Sequence, residues 1–192
     1  IQYDYIRFPT DGDLTTMDFG VELNQDLRQS TIEQFLEESR RRLLPTGAKQ
    51  AADLFGFTMV IDDDLGIGQN FARLAAYLDY MCPMVYPSHY AEYQFGLPGH
   101  PNEYPYDTVS ISLAGGVDRL DGNSRKIRPW LQDFTYPGMN PYGPAEVRAQ
   151  IQASADHGTS GWMLWDMQQV FDPANLDSEP SSAVPNAENV ID

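Results

Sequence analysis

The sequence predicts an α/β protein built on a parallel sheet. Five apolar, strand-like runs alternate with four helical stretches, and alternation on this scale is the signature of βα units. The side chains capable of chemistry lie in or near the ends of those runs, which is how parallel α/β proteins assemble a site. Residues 51–90 show the plan most fully: an apolar run carrying Asp53, an acidic glycine-bearing loop at 62–68, a short amphipathic stretch, and a second apolar run that exits through Pro87-Ser88-His89-Tyr90.

Taken in order, residues 1–8 read as the first strand, ended by Pro9 and a polar stretch. Ser30 with Glu33 fits a capping box ahead of Ile32, Phe35, Leu36 and Leu43, and the pairs Glu37–Arg41 and Glu38–Arg42 are spaced for one exposed helix face. Gly47 closes that helix, and 49–59 is the second strand. Phe71, Leu74, Ala75 and Leu78 share a face of the next, short helix, before the third strand at 80–86. The loop at 90–105 is rich in Gly, Pro and Tyr, and a loop this long with such aromatic content predicts a functional role. Asp107 is placed to cap a helix carrying Val109, Leu113, Val117 and Leu120. A fourth strand follows at 127–134. Pro144 suits the first turn of a helix that Gly158 ends, and 161–165 is the fifth strand. Beyond 171 the chain is Pro-, Ser- and Asn-rich with few large apolar groups, so 172–192 reads as a polar tail or linker.

The 192 residues are 42% apolar, which suits one domain with a real core. The net charge of −16 excludes recruitment by nucleic-acid backbones or anionic membranes, which basic patches perform. No run approaches the roughly 18 apolar residues of a membrane span. Cys82 is the one cysteine, so neither an internal disulfide nor a cysteine zinc cluster forms, and its apolar neighbours make it a small buried hydrophobe. The chain opens directly on a strand at Ile1, which predicts a piece of something larger.

A doubly wound sheet would carry a glycine-rich phosphate turn, but Gly66-x-Gly68 lacks the third glycine and follows three aspartates. The loop chemistry fits a barrel better, although five βα units are too few to close one of eight strands. The segments Asp4-Tyr5-Ile6-Arg7-Phe8-Pro9, Ala52-Asp53-Leu54-Phe55-Gly56, Leu65-Gly66-Ile67-Gly68-Gln69 and Cys82-Pro83-Met84-Val85-Tyr86-Pro87-Ser88-His89-Tyr90 are similar to those of a glycoside hydrolase family of bacterial (β/α)8-barrel proteins, often known only as a domain of unknown function. The runs 128–134 and 161–165 continue the likeness in order. The resemblance implies a partial TIM (β/α)8 barrel over 1–171, its five strands being about the fourth to eighth. It also implies hydrolysis of a glycosidic bond in a poly- or oligosaccharide by a secreted or cell-envelope protein.

Glycoside hydrolysis uses two carboxyls, one as acid and one as nucleophile or base. Asp4, Asp53 and Asp133 each lie in or at the end of an apolar run, where burial of a carboxylate is costly unless it is paired or functional. They are the candidate catalytic residues, with Asp166 in reserve; the bland alternative is a helix cap or a pair with an arginine such as Arg7. Arg7, Tyr86, Ser88, His89, Gln132 and Trp165 are the candidate substrate ligands: donors for hydroxyls and, in Trp165, a ring for a sugar face. Trp130 and Trp162 read first as core. The aspartates at 62, 63 and 64 lack calcium-loop spacing and read as a solvated acidic loop. The three histidines show no metal-ligand spacing, and no G-x-S-x-G turn is present, so neither metal nor cofactor is expected. The rival readings are a carbohydrate-binding barrel without catalysis, which would need the aromatics and amides but not the strand-borne aspartates, and a structural barrel fragment.

Overall fold

A computed structural model describes residues 1–176. Five strands form one sheet in chain order: β1 (Gln2–Tyr3), β2 (Ala51–Phe55), β3 (Tyr80–Val85), β4 (Trp130–Gln132) and β5 (Met163–Trp165). Every neighbouring pair is parallel. Four helices connect them: α1 (Gln25–Leu43), α2 (Phe71–Leu74), α3 (Pro105–Arg119) and α4 (Pro144–Asp156). Sequential parallel strands joined by helical crossovers make a half-barrel, as expected.

Side-chain alternation divides the sheet. Tyr3, Ala52, Leu54, Met81, Val85, Leu131 and Leu164 point toward the helices and pack with Leu36, Leu74, Val109, Leu113 and Ala153. That layer is the hydrophobic core. The intervening residues, Gln2, Asp53, Trp130 and Trp165, occupy the inner face and meet one another there.

The strands are shorter than the apolar runs. The first stops at Tyr3 rather than at 8, the second at Phe55 rather than at 59, the fourth at Gln132 and the third at Val85. Gly56–Met59 instead forms a 3-10 turn wedged under α3, with Met59 fully buried. Only glycine fits where the turn begins: a Cβ on Gly56 would lie 2.4 Å from the carbonyl oxygen of Met84. The consequence is that Asp4, Asp133 and Asp166 each directly follow the last residue of a strand. They stand at the C-terminal end of the sheet, where barrel enzymes place their chemistry.

Other local expectations are corrected. Asn24, not Ser30, caps α1 through its side chain to the Leu27 N–H, while Ser30 sits inside the helix and donates to the Leu27 carbonyl. Glu38 takes both Arg41 and Arg42, so the expected Glu37–Arg41 pair is replaced. Pro105 opens α3 and Asp107 lies within its first turn. The acidic loop is not simply solvated: Asp64 is buried, accepts a two-pronged pair from Arg28 at 2.8 and 2.9 Å, and takes the N–H groups of Gly66 and Gly68. Residues 173–176, assigned to the polar tail by composition, form a 3-10 turn packed on α4, with Asn175 buried. The remainder of the expected tail, 177–192, lies outside the described residues.

Candidate active site

The strand register builds the centre of the site. Gln2 pairs with Ala51 and Tyr3 with Ala52, so the next rung sets Asp4 beside Asp53, and Asp53 pairs in turn with Cys82. Asp53 is buried, and its Oδ1 accepts from Gln2 Nε2 at 2.6 Å and from Trp130 Nε1 at 2.7 Å. Burial raises its pKa; the Trp130 and Gln2 hydrogen bonds oppose that rise and the charge of Asp4 adds to it. Asp4 itself is exposed. The bland alternative, a pair between an aspartate here and Arg7, does not form among the described residues: the guanidinium of Arg7 bonds Tyr5, Phe8 and Thr10 instead.

Tyr86 completes this group. Its phenol is pushed well above the usual tyrosine range by burial and by the charges of Asp53 and Asp4, so it remains an O–H donor beside two carboxyls. Two rungs above Asp53, on the same face and toward the strand ends, Phe55 pairs with Met84. These two residues, with Phe57, Tyr86, His89 and Tyr90, line a cavity of about 570 Å³. Its size and its mostly apolar wall, half of it aromatic, suit a ligand with apolar ring faces.

His89 stands at the rim among the rings of Tyr86, Phe134 and Tyr136, at centroid distances of 5.6, 6.1 and 5.5 Å. Desolvation by these neighbours lowers its pKa, which favours the neutral imidazole. Ser88 is buried, with its Oγ 3.0 Å from His89 Nδ1, so the serine orients the ring. Gln132 is not free to take a sugar hydroxyl. It is 0% exposed, accepts from the Ser88 N–H and donates to Asn102 and the Phe134 carbonyl. Its role is to hold the loop that carries Ser88 and His89.

Trp165 is 40% exposed and stands edge-on to Trp130, 6.2 Å between centroids. It adjoins the Asp53 group through that tryptophan. Asp133 does not join Asp4 and Asp53. It is 7% exposed beneath the 173–176 turn, where Asn175 Nδ2 donates to its Oδ1. Burial, followed by the charge of Asp166, raises its pKa to about 6. Asp166 is buried too, with its Oδ1 accepting the N–H groups of Gln168 and Val170. The candidates therefore fall into two groups: Asp4, Asp53 and Tyr86 at the inner face, and Asp133, beneath the 173–176 turn, with Asp166 close enough for its charge to act on it.

Two residues that serve the first group, the donors to Asp53, have other sequence readings. Gln2 lies two residues before Asp4 on the same strand face, a legible signal. Trp130 read as core, and only the register reveals its N–H as a donor to a carboxylate. Among the described residues no group of three or more His, Cys, Asp or Glu side chains is arranged to hold a metal ion. No described helix is long and apolar enough to cross a membrane.

A family model described as "Putative glycosyl hydrolase domain" matches residues 1–171. The chain belongs to this glycosyl hydrolase family. No curated protein sequence matches it. Among solved structures, the spore cortex-lytic enzyme SleL of Bacillus megaterium is similar over 80% of this chain and 45% of its own, at 13% identity and a TM-score of 0.55. The PgaB (BpsB) glycoside hydrolase domain of Bordetella bronchiseptica is similar over 77% and 44%, at 14% identity and a TM-score of 0.48. The chain thus spans less than half the length of each of these proteins. At such identity the SleL likeness bears on the fold alone, and it agrees with the half-barrel described above.

Proposed function

We propose that this glycosyl hydrolase family member cleaves a glycosidic bond in a polysaccharide of the cell surface or its surroundings, with Asp53 as the acid and Asp4 as the anion. The observation that carries the reading is the paired donation of Gln2 and Trp130 to one oxygen of Asp53 beside the exposed Asp4. Both donors fill the lone pairs of Oδ1, so the proton that a raised pKa favours belongs on Oδ2. Two nearby carboxyls with different surroundings divide into a proton donor and an anion.

In this scheme the Asp53 Oδ2–H bond gives its proton to the glycosidic oxygen as the C–O bond breaks, leaving Asp53 ionised. Positive charge develops at the anomeric carbon and faces the Asp4 carboxylate. Water supplies the hydroxyl to that carbon, and its remaining proton restores the acid. Tyr86, as a persistent donor, and His89, at the rim, bind sugar hydroxyls, while the aromatic cavity takes the ring faces. The family match and the fold support the reading, and Asp133 takes no part in it.

The test is direct. Purified protein is incubated with chitin-, peptidoglycan- and cellulose-type polysaccharides, and new reducing ends are counted. Release of reducing ends that depends on Asp53 supports the proposal. Binding of a polysaccharide with no release at any pH between 4 and 9 (about the span of carboxyl acid–base control) would favour the non-catalytic carbohydrate-binding reading.

A further inference from the structure

Tyr5 has features that neither the core nor the proposed chemistry uses. It follows Asp4 directly, the residue is 62% exposed, and its backbone holds φ at 57°. That left-handed conformation is unfavourable for a bulky aromatic residue, and such strain persists where the surroundings enforce it, most often at ligand sites. Here the enforcing group is Arg7. Its guanidinium lies over the Tyr5 ring, 4.3 Å from the centroid, and Nη2 donates to the Tyr5 hydroxyl at 2.9 Å. The Arg7 N–H closes a tight turn onto the Tyr5 carbonyl at 3.0 Å.

Arg7 is itself fixed. Nη1 donates to Thr10 Oγ1 and to the Phe8 carbonyl, and the guanidinium carbon lies 5.2 Å from the ring centre of Phe55, a wall of the cavity. Among the described residues no carboxylate pairs with it. A guanidinium placed for charge would be expected to pair with one of the many acids of a chain carrying a net −16. This one is spent on two aromatic faces. The result is a rigid phenol ring, braced on one face by a cation and open to solvent on the rest of its surface.

We propose that Tyr5 is a stacking platform for a pyranose ring beside Asp4, with Arg7 as the residue that positions it. The inference rests on the reading that the site takes a carbohydrate. The polarised C–H groups of a sugar face complement the negative face of an aromatic ring, and a ring already immobilised loses little freedom on binding. Arg7, expected from the sequence to touch substrate, acts through Tyr5 instead. A plain loop staple would need neither an exposed aromatic ring nor a strained backbone, since glycine adopts this φ at no steric cost.

The experiment measures binding apart from turnover. In full-length protein carrying Asp53→Asn, calorimetric titrations with chitohexaose and cellohexaose are compared for Tyr5 unchanged, Tyr5→Phe, Tyr5→Ala and Tyr5→Gly. A platform predicts that Tyr5→Ala weakens binding of the preferred hexaose by about tenfold or more, the range of ring stacking, while Tyr5→Phe stays within about threefold. Tyr5→Gly weakens binding like Tyr5→Ala yet melts at a higher temperature than Tyr5→Ala, because only glycine relieves the strain. Arg7→Met weakens binding less than Tyr5→Ala does. Equal affinity of Tyr5→Ala and the unchanged protein overturns the proposal, as does binding of neither hexaose. Loss of hydrolysis in the native sequence together with Tyr5-dependent binding would overturn the catalytic reading and leave the platform standing.

Discussion

Trp130 on β4 reaches across β3 to place its indole N–H 2.7 Å from Asp53 Oδ1 on β2. The contact ties the aromatic ring to the carboxyl proposed as the acid and opposes the rise in its pKa that burial causes. Removing the donor therefore moves that pKa further up. With Asp53 as the acid, Trp130→Phe shifts the alkaline limb of the pH–rate profile to higher pH and lowers turnover by about tenfold. An unmoved alkaline limb would show that another group supplies the proton.

Gln2 acts on the same oxygen, so Gln2→Leu shifts that limb in the same direction. Because both donors serve one lone-pair set, the double variant departs from the sum of the two singles. Additive effects on turnover would show that Gln2 and Trp130 act independently of one another.

Asp133 makes stability depend on pH. Its pKa in the fold, about 6, exceeds the ordinary carboxyl value, with burial the main cause and Asp166 the next. The folded state then holds more protons than the unfolded state between the two values, and stability falls as pH rises through that window. The loss is about 3 kcal/mol. Among the described residues, the buried atoms Asp133 Oδ2 and Asn175 Oδ1 find no hydrogen-bond partner. Asp133→Asn supplies an amide N–H there and removes the charge. Urea unfolding of this variant should show a smaller decline from pH 4.5 to 7.5 and higher stability at pH 7.5 than the native sequence. An identical decline would remove Asp133 from the account.

The succession of elements was legible because it rests on local patterns: alternating apolar runs, Pro144 at a helix start, and glycines at turns. The strand ends were not. Phe57 and Met59 continue an apolar run that period-two reading cannot separate from a strand, yet they pack as a turn between the sheet and α3. Asp4 and Asp53 stood out as carboxyls in apolar surroundings, whereas the part played by Trp130 depends on register and had no local sign. Asp64 read as solvated because its partner, Arg28, lies 36 residues away.

That pair yields a stability prediction. Burial would raise the pKa of Asp64, but hydrogen bonds from Arg28 and the Gly66 N–H outweigh it and hold the carboxyl below its usual value. The stabilisation is present above the unfolded pKa and is lost as pH falls through the lower folded value. Asp64→Ala leaves the Arg28 charge and two backbone N–H groups unpaired and costs about 3 kcal/mol or more. Denaturant unfolding at pH 7 measures it, and a cost under about 1 kcal/mol, that of a surface pair, would contradict the buried-pair description.

The most direct measurement is the turnover of Asp4→Asn and Asp53→Asn on the polysaccharide that the native protein cleaves, with circular dichroism confirming that both variants fold. The account predicts that each loses at least about a hundredfold, the usual scale of acid–base catalysis, while Asp133→Asn stays within about threefold of the native rate. Near-native turnover in Asp4→Asn and Asp53→Asn, with the loss falling on Asp133→Asn, would contradict it and move the chemistry to the carboxyls beneath the 173–176 turn.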